Sequence, residues 1–167
     1  DTAYDNFDVE VKVEGSDYFD LQLYMSLMRE TDKAFSELIE YFSNVEENTV
    51  ILMFGDHQPS DWVYYDIREM NGISNSEDTD LETQQLKYIV PYVLWANYDI
   101  GAESTDEFGT VSINYLSALM LDKIGVETTP VQKMLLRLNE SYPVITANCI
   151  ITPNGDFIPS AKLPEND

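Results

Sequence analysis

Residues 49–54, Thr49-Val50-Ile51-Leu52-Met53-Phe54, are an unbroken run of apolar or β-favouring side chains. A strand with one wet face alternates; a run without alternation predicts a strand covered on both faces, as in a parallel sheet. Just before it the period is different. Tyr24, Met28, Thr31, Phe35, Leu38 and Phe42 recur every three or four residues, and Leu27 and Ile39 widen the stripe. Arg29, Glu30, Asp32, Lys33, Glu37 and Glu40 lie opposite. This predicts an amphipathic helix across 18–45, about 25 residues and so ~38 Å long. A long helix feeding a buried strand restricts the chain to architectures that layer helices on a sheet.

The remaining elements follow from period and punctuation. In residues 1–15, Val9, Val11 and Val13 alternate with Glu10, Lys12 and Glu14, which reads as a short strand or extended arm. Gly15-Ser16-Asp17 offer a turn and an N-cap. Residues 60–80 are aromatic and acidic and read as irregular, with Asp78 or Asp80 capping a short helix that reaches Lys87. A second buried strand is read at 88–95, in an apolar run broken by Pro91. Residues 110–124 are helical again, with Val111, Tyr115, Leu119 and Ile124 on or near one face and Gly125 at the C-cap. Thr129-Pro130 pair a cap with a first-turn proline and open a helix to about Ser141. Residues 144–151 and Phe157-Ile158 flank Pro153-Asn154-Gly155-Asp156, where Asn-Gly is a strong hairpin signal. Residues 159–167 read as a trailing end. The fold class is therefore α/β: a mostly parallel sheet flanked by helices, with a C-terminal β-hairpin, all of 1–167 forming one domain.

Charge narrows the function. The 167 residues carry 31 Asp and Glu against 9 Lys and Arg, a net charge of −22. With 44% hydrophobic and 12% aromatic residues the chain has the material for a core, so this charge does not signal disorder. It repels phosphate backbones and anionic headgroups, which argues against nucleic-acid binding and against electrostatic attachment to a membrane surface. A single Cys makes no internal disulfide, and a single His excludes sites built from several imidazoles. No run reaches the roughly 20 apolar residues that span a bilayer. The first residues are polar and acidic with no apolar h-region, and the first is Asp1, not Met. The expectation is a piece of a longer protein.

In α/β sheets, ligands gather at the carboxyl ends of strands. Asp56 and His57 sit there, just past Phe54, with Gly55 allowing a sharp turn. A carboxylate beside an imidazole combines a hard oxygen with a nitrogen donor, which suits Zn²⁺ or Mn²⁺. Two ligands do not complete a shell. From the dipeptide alone the plainer reading prevails: Asp56 caps a turn, and His57 is satisfied by a backbone carbonyl.

Longer stretches shift that balance. The run Tyr24-Met25-Ser26-Leu27-Met28-Arg29-Glu30-Thr31-Asp32 is followed by Val50-Ile51-Leu52-Met53-Phe54-Gly55-Asp56-His57-Gln58-Pro59. Then come 88–98 (YIVPYVLWANY) and Ser112-Ile113-Asn114-Tyr115-Leu116. Together they resemble the C-terminal half of lipoteichoic acid synthase-like phosphoglycerol transferases, in the sulfatase branch of the alkaline phosphatase superfamily. The likeness runs from about residue 18 to about residue 150. It implies that Asp56 and His57 bind one divalent cation, commonly Mn²⁺, with Mg²⁺ or Zn²⁺ as alternatives. The family's catalytic Thr, its Glu ligand and its substrate-contacting His have no match here, so the chain is expected to hold half a metal site and no nucleophile. The implied reaction is attack of a Thr alkoxide on the phosphorus of a lipid headgroup. A glycerol-phosphate acceptor then resolves the covalent glycerophosphoryl-enzyme. A cation makes physical sense beside so acidic a surface, since it offsets repulsion of the anionic phosphodiester. The implied partners are the missing N-terminal half, the lipid-headgroup phosphodiester and the glycerol-phosphate acceptor. The implied location is the outer face of the cytoplasmic membrane. The fragment alone is expected to be soluble, inactive and prone to self-association through an uncovered edge or apolar face.

Several rivals are weaker. A sulfatase or phosphodiesterase of the same superfamily remains an alternative, but Cys149, in Asn148-Cys149-Ile150, lacks the Pro and Arg of a sulfatase nucleophile and reads as a core thiol. Calcineurin-like phosphoesterases need more histidines, and a phosphoaspartyl enzyme wants Asp where Gln58 stands. A non-catalytic acidic module would place cations on 77–80 or 103–107, which lack EF-hand spacing and read as solvated faces. Gln58, Ser60, Asp61, Trp62, Tyr64 and Tyr65 are candidates for a substrate-facing loop, Trp62 against a glycerol or sugar; the alternative is that these aromatics pack down on the domain. Arg29 and Lys33 read as solvated partners of Glu30 and Glu37. Asn97, Asn114 and Tyr115 share the resemblance without a physical role.

Overall fold

The computed structural model describes residues 10–14, 18–74, 80–102 and 108–160. The cap expected at Gly15-Ser16-Asp17, Val9 of the arm, Asp78, the acidic stretch 103–107 and the tail 161–167 lie outside the described residues. The chain divides into two compact units, one of residues 1–49 and 53–93, the other of 50–52 and 94–167.

In the first unit, α1 spans Phe19–Ser43, 25 residues, as the 3.6-residue period requires. Its buried positions are Leu21, Leu23 and Ser26, all in the first third. The expected stripe is thus only partly covered: Met28 and Leu38 are about 40% exposed. α1 packs on α2, Asp61–Met70, a helix that the aromatic composition of 60–80 concealed. Its inward face is Val63, Tyr64 and Arg68, spaced at helical intervals. Arg68 is buried, donates from Nη2 to the Ser74 carbonyl and lies over the Tyr64 ring, so its cation is met by a π-face and a carbonyl. The arm is described at residues 10–14. The Glu10 and Val11 N–H groups both donate to the buried Ser26 Oγ at 3.0 Å, and Ser26 Oγ donates to Gln22 O at 2.8 Å. Arg29 pairs with Glu10 at 3.0 Å, and Lys33 with Glu30 at 3.9 Å, all four exposed enough for the pairs to contribute little.

β1, Val50–Phe54, pairs with β2, Tyr92–Ala96, in a two-stranded sheet. None of these ten positions is fully buried, contrary to the double coverage expected of them; two strands alone have no neighbour on either edge and little to cover their faces. β2 starts at Tyr92 and not at 88, because Leu86–Tyr88 form a 3₁₀ turn and Pro91 lacks the N–H that a ladder needs. α3, Leu81–Gln85, is capped by Asp80, whose Oδ1 accepts from Thr83 N at 2.8 Å.

The second unit holds α4, Ile113–Lys123, and α5, Pro130–Ser141, packed on each other. Gly125 adopts φ 72° after α4. Its N–H bonds Asp122 O while that of Val126 bonds Leu121 O, the crossed pair that closes a helix on a left-handed residue. Thr129 and Gln132 cap α5 reciprocally, with Pro130 in its first turn. β3 (Val144–Ile145), β4 (Cys149–Ile151) and β5 (Phe157–Pro159) form an antiparallel sheet in the order β3-β4-β5. Ile150 stands opposite both Ile145 and Ile158. Joined by connections of a few residues, these strands have no room for a parallel crossover. Among the described residues the strands form these two small sheets, of which β3-β4-β5 is antiparallel. Pro159 belongs to β5, and Ser160 bonds Asn148 O and Ala147 O, so neither residue trails free as expected. Among the described residues of this unit, Tyr115, Leu116, Ala118, Val144 and Cys149 are buried. Among the described residues no helix is long and apolar enough to cross a membrane.

Candidate functional site

The end of β1 is held against the approach to β2 by three cross-links. Gly55 N donates to Pro91 O at 3.0 Å. The Gln58 side-chain amide donates to the Ile89 carbonyl. Lys87 Nζ meets Asp61 Oδ1 at 2.7 Å, and Asp61 raises the lysine's pKa. Gly55 is required for closeness, not for a special φ: a Cβ there would stand 2.9 Å from Val90 Cβ. Between these tethers the chain presents Asp56 and His57.

Both side chains face solvent, Asp56 85% and His57 78% exposed. They also face each other, with His57 Nε2 3.5 Å from Asp56 Oδ2. Asp56 Oδ1 accepts from the His57 N–H at 3.0 Å, which is the turn-capping role read from the dipeptide. His57 Nδ1 lies 2.7 Å from the Gln58 carbonyl oxygen, which is the carbonyl contact of the same plain reading. A carbonyl only accepts, so the ring proton of a neutral His57 sits on Nδ1 and Nε2 carries the lone pair. Two acceptor atoms, Nε2 and Oδ2, are then opposed in the open. Such a pair is at ease only with a proton or a cation between its members. The donor set of one imidazole nitrogen and one carboxylate oxygen fits a divalent transition metal. Among the described residues no group of three or more His, Cys, Asp or Glu side chains is arranged to hold a metal ion, so the two would supply part of a shell.

The loop beyond is mixed. Gln58 is half-buried, its amide engaged by Ile89. Ser60 occupies the N-cap of α2 without a side-chain cap bond, and it is exposed. Trp62, in the first turn of α2, is 76% exposed and does not pack down. Tyr64 does, beneath Arg68 and Lys87, whose charges lie 5.7 and 5.8 Å from its ring centroid. Cys149 is a buried free thiol. Tyr115 is fully buried, and burial pushes its phenol pKa up; Asn114 is exposed. The tether from Gln58 to Ile89 was not legible in the sequence, since 31 residues separate the partners.

Residues 4–126 match the sulfatase family. The chain belongs to that family. This sulfatase-family chain is also similar to a protein of Rhizobium meliloti (strain 1021) named as a cyclic beta-1,2-glucan modification protein. The two are 27% identical over 163 residues, covering 92% of this chain and 25% of the relative. The chain thus spans about a quarter of that relative's length. No solved structure gives a significant match.

Proposed function

We propose that this chain is the metal-ligand-bearing part of a phosphoglycerol transferase that modifies a cell-surface polymer or glycan. Asp56 Oδ2 and His57 Nε2 would hold one divalent cation, Mn²⁺ before Mg²⁺ or Zn²⁺. The observation that carries this is the exposed, opposed pair of acceptors, with Nδ1 already committed to Gln58 O. The cation supplies charge that offsets a phosphodiester's repulsion from so acidic a protein. Around it, Ser60 and Trp62 line the side from which substrate arrives, and Trp62 offers a bare aromatic face to a glycerol or sugar ring. In the reaction, the phosphorus–oxygen bond to the lipid's diacylglycerol breaks and one to the acceptor's hydroxyl oxygen forms; the acceptor's proton leaves with the departing alcohol. The nucleophile that carries glycerophosphate between the two lies outside these residues, on the preceding half of the domain. That half would also extend the β1–β2 pair into a larger, mostly parallel sheet.

Membership of the sulfatase family supports chemistry at an oxyanionic ester, and the Rhizobium relative's name supports a glycan as acceptor beside the lipoteichoic acid-type chain that the sequence resemblance suggests. On this reading the site would work at the outer face of the cytoplasmic membrane, the location that the family resemblance implies. A sulfatase or phosphodiesterase of the same superfamily is the second reading, favoured by the family match itself. The two are separated in the longer protein that contains this chain, given phosphatidylglycerol with a labelled glycerol headgroup and Mn²⁺. Label moving to a glucan or polyglycerol phosphate supports transfer; label released only as free glycerophosphate supports hydrolysis. In either case Asp56→Ala and His57→Ala should each lower turnover by more than about 100-fold, a larger loss than removing a residue that only supports a ligand causes. Full activity in both variants would remove the site from the mechanism.

A further inference from the structure

Gln58 is the residue on which the His57 ring depends. Its backbone carbonyl takes Nδ1 of the imidazole at 2.7 Å, and its side-chain amide is fastened to the Ile89 carbonyl on the approach to β2. One residue thereby links the ring nitrogen that is not a ligand to a segment 31 positions away. With the amide removed, that carbonyl is free to turn to water. The imidazole then loses its reason to keep the proton on Nδ1, and Nε2 no longer faces Asp56 Oδ2 as a lone pair. The neighbouring tethers, Gly55 N to Pro91 O and Lys87 to Asp61, hold the two ends of the turn but do not touch the ring.

We infer that Gln58 is a positioning residue of the Asp56–His57 site, fixing the tautomer and orientation of His57 through its own carbonyl, and does not contact substrate. The inference rests on the reading of those two residues as cation ligands. Outer-shell partners of this kind typically change metal affinity by 10–100-fold.

His57 is the chain's single histidine, so its ring signals are unambiguous. Long-range ¹H–¹⁵N correlation reads the tautomer of that ring directly. The wild-type protein should show the proton on Nδ1. Gln58→Met keeps the side chain's length without its donor. It should move the population toward the Nε2–H form and weaken Mn²⁺ binding, followed by water-proton relaxation, about 10-fold. Gln58→Lys restores a donor toward Ile89 O and should recover both. Thermal unfolding of the variants, kept within a few degrees of wild type, separates positioning from loss of fold. A tautomer ratio unchanged in Gln58→Met, or changed equally in Gln58→Lys, overturns the inference. Mn²⁺ bound equally by wild type and Asp56→Ala overturns the ligand reading instead, and the tautomer ratio still decides the role of Gln58.

Discussion

Asp56 and His57 are adjacent in the chain, yet adjacency does not make side chains meet: in an extended strand they would point to opposite faces. They meet because the chain turns at Gly55, hard against Val90. Gly55→Ala would place a methyl 2.9 Å from Val90 Cβ, so the backbone or Val90 must shift. Overpacking of this kind costs about 1–3 kcal/mol. The expected result is a lower denaturation midpoint in urea together with a displaced His57 ring signal; an unshifted midpoint would mean that the close approach is not a constraint. The dipeptide and its glycine were legible as a turn because a turn and its capping contacts are local. Gln58 was not. Its sequence neighbours suggest a loop residue open to substrate, whereas the structure engages its amide with a carbonyl that no local pattern could indicate.

Among the elements, those whose ends are written in the chain were legible: α5 by Thr129 and Pro130, α4 by Gly125, the β4–β5 hairpin by Asn154-Gly155. α2 was not, because its inward face includes Arg68, a charged residue buried against Tyr64, while Trp62 and Tyr65 point outward and break the apolar period. Pro91 delayed β2 past the start of its apolar run. The cap of α3 makes a pH prediction. The Thr83 N–H, and then its hydroxyl, hold the Asp80 carboxyl below its ordinary value of 3.8. A lowered folded-state pKa contributes stability that is present above 3.8 and lost as pH falls through the lower folded value. The Thr83 amide should therefore exchange faster once acid protonates Asp80, and Asp80→Asn, which still caps but does not titrate, should abolish that acid step. An acid step of equal size in Asp80→Asn would assign it elsewhere. Asp66 has the opposite sign: burial, then Asp20 and Glu69, push its carboxyl up, so its charge opposes folding at neutral pH.

Taken together, 19 large apolar side chains are exposed among the described residues, including Trp62, Tyr41, Phe19 and Val131 at more than 60%. Among the described residues β1 and β2 pair only with each other. Uncovered faces and open edges of this kind favour association despite the net charge of −22. Light scattering on the isolated chain should show mass rising with concentration, more steeply in salt that screens the repulsion; a constant monomer mass across the same range would contradict this.

The proposed function stands on Oδ2 of Asp56 and Nε2 of His57 accepting one cation together. Mn²⁺ titrated into isotope-labelled protein should broaden the His57 ring signals selectively at low stoichiometry, and Asp56→Ala should remove that selectivity. Equal broadening with and without the Asp56 carboxylate, or none in either protein, would show that the two side chains share no ion.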